Sequence, residues 1–376
     1  MNWPWLHAVP PEKRWLCRAK AANSGGTTAM HLSHKRPTQL DIARALGVAQ
    51  ITVSRALSGH PSVVPAMRDR ILAEAARQGY RLHHSATAMK QGRHGAIGLL
   101  AGADPGRSAT PLQIFWGLED ACFRQGQHLV IGRFGDELLE DANRLPHFLR
   151  QWMVDGLLIY YTHAIPGGLR QILEQMQLPY VWINTDEPGA VRPDDKAGSR
   201  IATEQLIELG HREIVLLHGE TGPGAHYSNA ERIEGYQAAM SRAGLEPQPV
   251  CWSRSGQSLH EKAVDWVAQC RPFPTAFVAT SRWLALALVL AAERHGYTLR
   301  DDYSLILMSH SGFENVGLRL TTMKIPTEKM ADLALEKLLM LVKGETPPRS
   351  RRVAYGFDPG ASIGPPRNGF ATRGKR

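Results

Sequence analysis

Gln50, Ile51, Thr52, Ser54 and Arg55 lie between the pivot Gly47-Val48 and Leu57, within a nine-residue run, Ala49 to Leu57, whose remaining positions are mostly apolar. At helical spacing Val53, Ala56 and Leu57 form a buried stripe, which leaves those five side chains facing outward. Arginine and glutamine meet base edges with paired hydrogen bonds, serine and threonine serve either partner, and Ile51 offers an apolar surface to a thymine methyl group. The chemistry this pattern implies is recognition of a duplex through its major groove.

The elements that must hold such a face are legible around it. Thr38 is a favourable N-cap, and Asp41 three residues later closes a capping box; Ile42, Ala43 and Leu46 then give a first helix one apolar side. Gly47 permits a sharp turn, so the two helices form a helix-turn-helix. Pro65 opens a third helix carrying Met67, Ile71, Ala75 and Ala76 on one face, and Gly79 ends it. A short segment, Tyr80 to Arg93, leads to the apolar run Ala96 to Leu100.

Charge divides the chain in the same place. Of 44 basic and 35 acidic residues, 14 and 4 fall within residues 1–94, so nearly the whole net charge of +9 belongs to the first quarter. A cationic module on a near-neutral body is the footprint of a nucleic-acid binder.

Catalytic and metal patterns are poor. Glu220-Thr221-Gly222-Pro223-Gly224 has the glycines of a phosphate loop, but Pro223 lacks an amide donor and no Lys-Ser/Thr follows. There is no Gly-x-Ser-x-Gly elbow. Cys17, Cys122, Cys251 and Cys270 are scattered without a Cys-x-x-Cys pair, and neither His31-x-x-His34 nor His83-His84 has carboxylates or thiols beside it. The expectation is a protein that is not an enzyme, with no cofactor and no metal.

The chain resembles the lactose-repressor (LacI/GalR) family of transcription regulators. Asp41-Ile42-Ala43, Gly47-Val48, Thr52 to Gly59, Arg68-Asp69-Arg70-Ile71, Gly79-Tyr80 and Ala86 to Gly92 carry the resemblance in the head. Ile97-Gly98-Leu99, Asp155 to Leu158, Leu209 to Ile214 and Arg232-Ile233-Glu234-Gly235-Tyr236 carry it in the body, so that it spans roughly residues 38–358. It implies that Tyr80, His83, Ala86 and Met89 join Thr38, Gln50, Ile51, Thr52, Ser54 and Arg55 as DNA-binding residues. Residues 83–90 would fold as a hinge helix on the operator, with Met89 standing where the family has leucine. The resemblance further implies a two-lobed periplasmic-binding-protein-like body closing on a small molecule. Arg232 matches the family's ligand-binding arginine; Ser281-Arg282 stand where it often has Asn-Asp, Trp283 follows, and Ser309 replaces a strand-end Asp. Exchanging acceptors for a cation favours a sugar acid over a neutral hexose.

Apolar runs do alternate with helical patterns throughout the body, as parallel, doubly wound sheets require. Strands are expected at 97–101, 128–132, 156–160, 180–184, 213–218, 276–279 and 305–308, with helices near 112–125, 140–152, 166–176, 198–209, 229–243, 259–269, 283–295 and 327–343. The expected organisation is a disordered extension (1–36), a helix-turn-helix domain (37–81), a hinge (82–94), an effector-binding and dimerisation body (95–362) and a disordered basic tail (363–376). No transmembrane run or signal-peptide core is present, which points to the cytoplasm, and the lack of a fold signal before Lys35 suggests a translation start at Met30. The functional expectation is a homodimeric regulator on a pseudo-palindromic operator, a repressor of a carbohydrate-use operon answering to a sugar or sugar acid. An activator or dual regulator of the same fold fits the same residues, and an enzyme on the α/β body is the remaining alternative.

Overall fold

The computed structural model describes residues 37–80, 93–102, 111–138, 153–163, 165–253, 256–312, 319–349 and 351–367. The hinge residues His83, Ala86 and Met89, the helix expected at 140–152, the extension 1–36 with its histidine pair, and the last residues of the tail lie outside that set. The chain divides into two units between Leu82 and His83.

The first unit is three helices, α1 (Gln39–Leu46), α2 (Gln50–Leu57) and α3 (Pro65–Gln78). Thr38 caps α1 through the expected box: its hydroxyl accepts from the Asp41 amide at 3.3 Å while its own amide donates to the Asp41 carboxylate at 2.8 Å. Gly47 ends α1 with φ of 65°, a left-handed conformation that lets its amide and that of Val48 close the last turn. Ile42, Ala43, Val53, Ala56, Val63, Ile71 and Ala75 form the small core.

The second unit holds two six-stranded sheets. β1 (Ala96–Gly102), β2 (His128–Phe134), β3 (Gly156–Tyr160), β4 (Tyr180–Ile183), β5 (Val191–Pro193) and β11 (Arg351–Val353) form the first, in the order β11-β5-β4-β3-β1-β2 and all parallel. The second runs β12 (Gly356–Asp358), β10 (Thr321–Lys324), β9 (Ser304–Ser309), β8 (Ala276–Ala279), β6 (Ile214–His218), β7 (Gln248–Cys251). It is parallel except for β12, which pairs antiparallel with β10. Asp155 anchors the start of the first sheet, its carboxylate accepting from the amides of His94 and Gly95 at 2.5 and 2.8 Å. His94 therefore already belongs to the body.

Each sheet is buried on both faces. In the first lobe α4 (Leu112–Arg124) and α10 (Thr327–Val342) cover one face, and α5 (Gly167–Met176) lies on the other. In the second, α8 (Leu259–Gln269) and α9 (Arg282–Arg294) cover one face, α6 (Asp195–Glu208) and α7 (Ser228–Arg242) the other. The lobes are not consecutive in sequence. The chain crosses from the first to the second after β5, returns between β10 and α10, and crosses again between β11 and β12.

The tail expectation needs a correction. Ile363 packs in the second lobe, Gly364 accepts from His211 at 2.9 Å, and Arg367 pairs with Asp302 at 2.8 Å, so the folded body runs to at least Arg367. His211, itself buried, is the peg that holds this segment.

Candidate functional site

Along α2 the structure exposes Gln50, Ile51 and Arg55, half-buries Thr52 and Ser54, and buries Val53 and Ala56. Ile51, 55% exposed, is a large apolar side chain left uncovered on a helix whose opposite side is core. Two of the DNA-binding candidates have structural work. The Thr38 hydroxyl is spent in the α1 cap, and Tyr80 packs on the head core while its amide closes α3 on the Ala75 carbonyl at 2.8 Å.

In the body a cavity of about 600 Å³ opens between the lobes. Doubly wound sheets leave a crevice beyond the carboxyl ends of their strands. Here Tyr160, Asn184, Gly219, Trp252, Thr280 and Ser309 line the cavity, each the last residue of its strand or within one position of it. Arg232, Ser281, Arg282 and Trp283 line it too, so all five effector-binding candidates are brought together.

Arg232 is buried, and its position is set by both lobes' crossings. Its Nε donates to Asp195 Oδ1 at 2.8 Å, Nη1 to the Thr280 carbonyl at 3.1 Å and Nη2 to the Tyr355 hydroxyl at 3.2 Å. Tyr355 in turn donates to Asp195 Oδ1 at 2.7 Å. Asp195 follows the first crossing and is 0% exposed; Tyr355 sits within the third. Burial works against the Arg232 charge, but Tyr355 and Asp195 outweigh it and hold the guanidinium more firmly protonated than usual. Around this triad Arg192 and Arg352 of the first lobe pair with Glu231 of α7 at 3.2 and 3.0 Å.

The other candidates differ in character. Ser281 caps α9, accepting from the Leu284 amide at 3.4 Å, and Arg282 lies 5.3 Å over the Trp283 ring, which is 49% exposed. His310, one residue beyond Ser309, was not singled out from sequence although it lines the cavity and bonds Thr327 Oγ1 at 2.9 Å at the second crossing. Burial, Arg232, Arg282 and His226 push it down to about 3, so it is neutral. Asn184, with a left-handed φ of 60°, was missed too; it donates to the Tyr161 carbonyl at 3.2 Å. The available signal for both was their place at strand ends. Among the described residues there is no cluster of three metal-ligating side chains, and no helix is long and apolar enough to cross a membrane.

A three-helix DNA-reading head on a two-lobed body with a cavity at its strand ends defines a DNA-binding transcription regulator. Residues 38–81 match the lacI family of bacterial regulatory proteins and residues 203–363 the periplasmic binding protein-like domain. Head and body thus each match a domain found in the lacI-type regulators that the chain is similar to. The chain is 26% identical to the HTH-type transcriptional regulator GntR of Escherichia coli (strain K12), over 88% of this chain and 100% of that one. It is 28% identical to the regulator CelR of Thermobifida fusca, over 83% and 94%. Among solved structures, the lac repressor dimer bound to operator and the anti-inducer ONPF superposes with a TM-score of 0.72 at 19% identity, covering 88% of this chain and 100% of that one. A CelR-cellobiose complex gives 0.59 at 24%, covering 87% and 100%.

Proposed function

We propose that the protein is a cytoplasmic, homodimeric repressor of a carbohydrate-use operon. Gln50, Ile51, Thr52, Ser54 and Arg55 read a half-site of a pseudo-palindromic operator, and a sugar or sugar acid in the interlobe cavity changes operator affinity. Arg232, Ser281, Arg282, Trp283 and Ser309 form the effector site, and His83, Ala86 and Met89 belong to a hinge that contacts the minor groove. The observation that carries the reading is Arg232: a cavity-lining arginine is bonded directly to Asp195 and Tyr355 at two of the three lobe crossings. A ligand that draws on this guanidinium bears on the segments about which the lobes move. Ligand and DNA then compete or cooperate only as far as the ligand prefers one lobe arrangement. The relatives named repressor, PurR of Photobacterium profundum among them, support the sign, and the cellobiose bound to CelR supports a carbohydrate.

The test is fluorescence anisotropy of the purified protein on DNA from upstream of its own gene, with and without sugars and sugar acids. Tight binding to one segment over random DNA, shifted by one class of compound, is expected. Equal affinity for all sequences would overturn the reading of the α2 face, and operator binding indifferent to every compound would overturn the effector reading.

A further inference from the structure

His310 offers its cavity a group of fixed polarity. Thr327 Oγ1 has one hydrogen, which it donates to the Ile325 carbonyl at 3.3 Å, so towards the imidazole 2.9 Å away it is an acceptor. With the hydroxyl hydrogen so placed, Nδ1 of His310 is the donor to Thr327 and Nε2 is left with a lone pair. The Thr327 bond is the ring's one hydrogen bond among the described residues, and His310 lines the cavity. His226 has the opposite polarity and is already spent: its Nε2 donates to the Asn184 carbonyl and its Nδ1 accepts from Ser228 Oγ, both at 2.8 Å.

The cations nearby are differently committed. Arg232 uses three of its five N–H groups within the protein, and each terminal nitrogen keeps one. Its charge is offset by Asp195, which is not among the cavity-lining residues. Arg282, exposed at the cavity, has no carboxylate partner among the described residues. Glu220 also lines the cavity but accepts from the Ser253 hydroxyl, and it is not among the charges acting on His310. Those charges are Arg232 of α7 and Arg282 of α9, with His226 before α7 as a third, lesser influence.

We propose that His310 is a ligand-binding residue whose Nε2 accepts the hydroxyl hydrogen of a monosaccharide-derived 2-hydroxy acid, the carboxylate of that acid being held by Arg232 and Arg282. This rests on the effector site proposed above and names its ligand class. A carboxylate takes the remaining N–H groups of Arg232 and neutralises Arg282, while the adjacent hydroxyl supplies the one thing the arginines cannot use, a donor. An aldose leaves Arg282 unneutralised. A phosphate dianion in place of the carboxylate has only acceptors itself and no hydroxyl on the adjoining carbon to give to the lone pair. Burial, together with repulsion from Arg232 and Arg282, keeps His310 neutral and so leaves Nε2 available as an acceptor.

The experiment is calorimetric titration of the full chain at pH 7.5 with five- and six-carbon aldonates, their 2-deoxy analogues, the parent aldoses and the aldose 6-phosphates. Wild type is compared with His310→Phe and His310→Gln, and the body's unfolding transition in differential scanning calorimetry reports that each variant is folded. One aldonate should bind on the order of 100-fold more tightly than its aldose, by the difference a charge-assisted pair makes over a neutral one. Removing its 2-hydroxyl should weaken binding roughly tenfold in wild type but less than about twofold in His310→Phe, with His310→Gln between them because its amide oxygen accepts. Should His310→Phe not fold, ¹⁵N spectra of wild-type histidine decide: His310 must show the Nδ1–H tautomer, with Nε2 shifting for the aldonate and not for the 2-deoxy compound. Equal hydroxyl sensitivity in wild type and variant overturns the role of His310 and leaves the sugar-acid reading standing. Aldoses or phosphates binding as tightly as aldonates, or no aldonate binding at all, overturn the ligand class. Operator release by a neutral sugar in the same samples would retain the regulator while removing the acid.

Discussion

Arg232 shows how a single side chain carries two obligations. It is at once a cavity residue and half of a buried ion pair, so Arg232→Ala removes an anchor and also strands Asp195 at 0% exposure. Breaking a buried pair by deleting one partner costs about 3–5 kcal/mol, and the loss of effector response in that variant would be mixed with loss of fold. Tyr355→Phe is the cleaner probe, since it deletes one hydroxyl between Arg232 and Asp195 and keeps the ring packed near Gly198. Operator affinity should be unchanged while effector-dependent release needs roughly five- to tenfold more ligand, measured by anisotropy. An unshifted response would detach Tyr355 from the switch. Arg232→Lys should rescue poorly, because one ammonium cannot bond Asp195, Thr280 and Tyr355 in a plane as the guanidinium does. On the head, Arg55→Ala should cost about 1–3 kcal/mol on operator and much less on random DNA; equal losses would make Arg55 a phosphate contact.

Among the elements, the pairing of α6 with α7 positions the triad, because Asp195 starts the one and Arg232 lies in the first turns of the other. Gly235 makes that pairing possible: a Cβ there would fall 2.1 Å from the Lys196 carbonyl oxygen, a backbone atom that cannot swing aside. Gly235→Ala must therefore push the helices apart. It should cost about 1–3 kcal/mol in denaturant unfolding and blunt the effector response more than it weakens operator binding. Wild-type stability in that variant would mean the two helices tolerate separation, and the triad would not depend on their contact. In α1 the capping box is an equally local device. Thr38→Ala should lower head stability by about 1 kcal/mol and leave the body's unfolding transition where it was, as differential scanning calorimetry would separate.

For the whole molecule, the two units divide the physics. The first 94 residues hold the excess cationic charge, shared about equally between the extension 1–36 and the head with the segment after it, and the body is close to neutral. If the two heads of a dimer neutralise on the order of 6–10 phosphates, operator affinity should fall roughly 10³- to 10⁵-fold between about 50 and 200 mM salt. Effector binding, which involves one ligand charge rather than a row of phosphates, should move far less over the same range. A flat salt profile for DNA would reject the polyanion reading of the basic first quarter. The three crossings give the lobes a common seam, and Arg192, Arg352 and Glu231 staple it from both sides. A switch located there is coupled to the cavity without any wire through the sheet cores.

The sequence determined on its own what depends on local spacing and composition. Three helices of the head, the apolar strands such as Gly156–Tyr160 and Ala276–Ala279, and the long helices between them were legible because each carries its own periodicity or cap. So was the resemblance to the lactose-repressor regulators, through dense motifs such as Thr52 to Gly59. The strands Val191–Pro193, Gln248–Cys251, Thr321–Lys324, Arg351–Val353 and Gly356–Asp358 were not, since polar, charged, proline or glycine residues interrupt their three or four positions and they form strands only against a neighbour already in place. All three crossings run through or beside those short strands, so the exchange of α10 and β11 into the first lobe was decided by tertiary structure. The same is true of Asp195, Tyr355 and His310. Their neighbours in space lie up to 160 residues away in sequence, and only the closing of two sheets end to end makes a buried carboxylate, a phenol and an imidazole parts of one cavity wall and its seam.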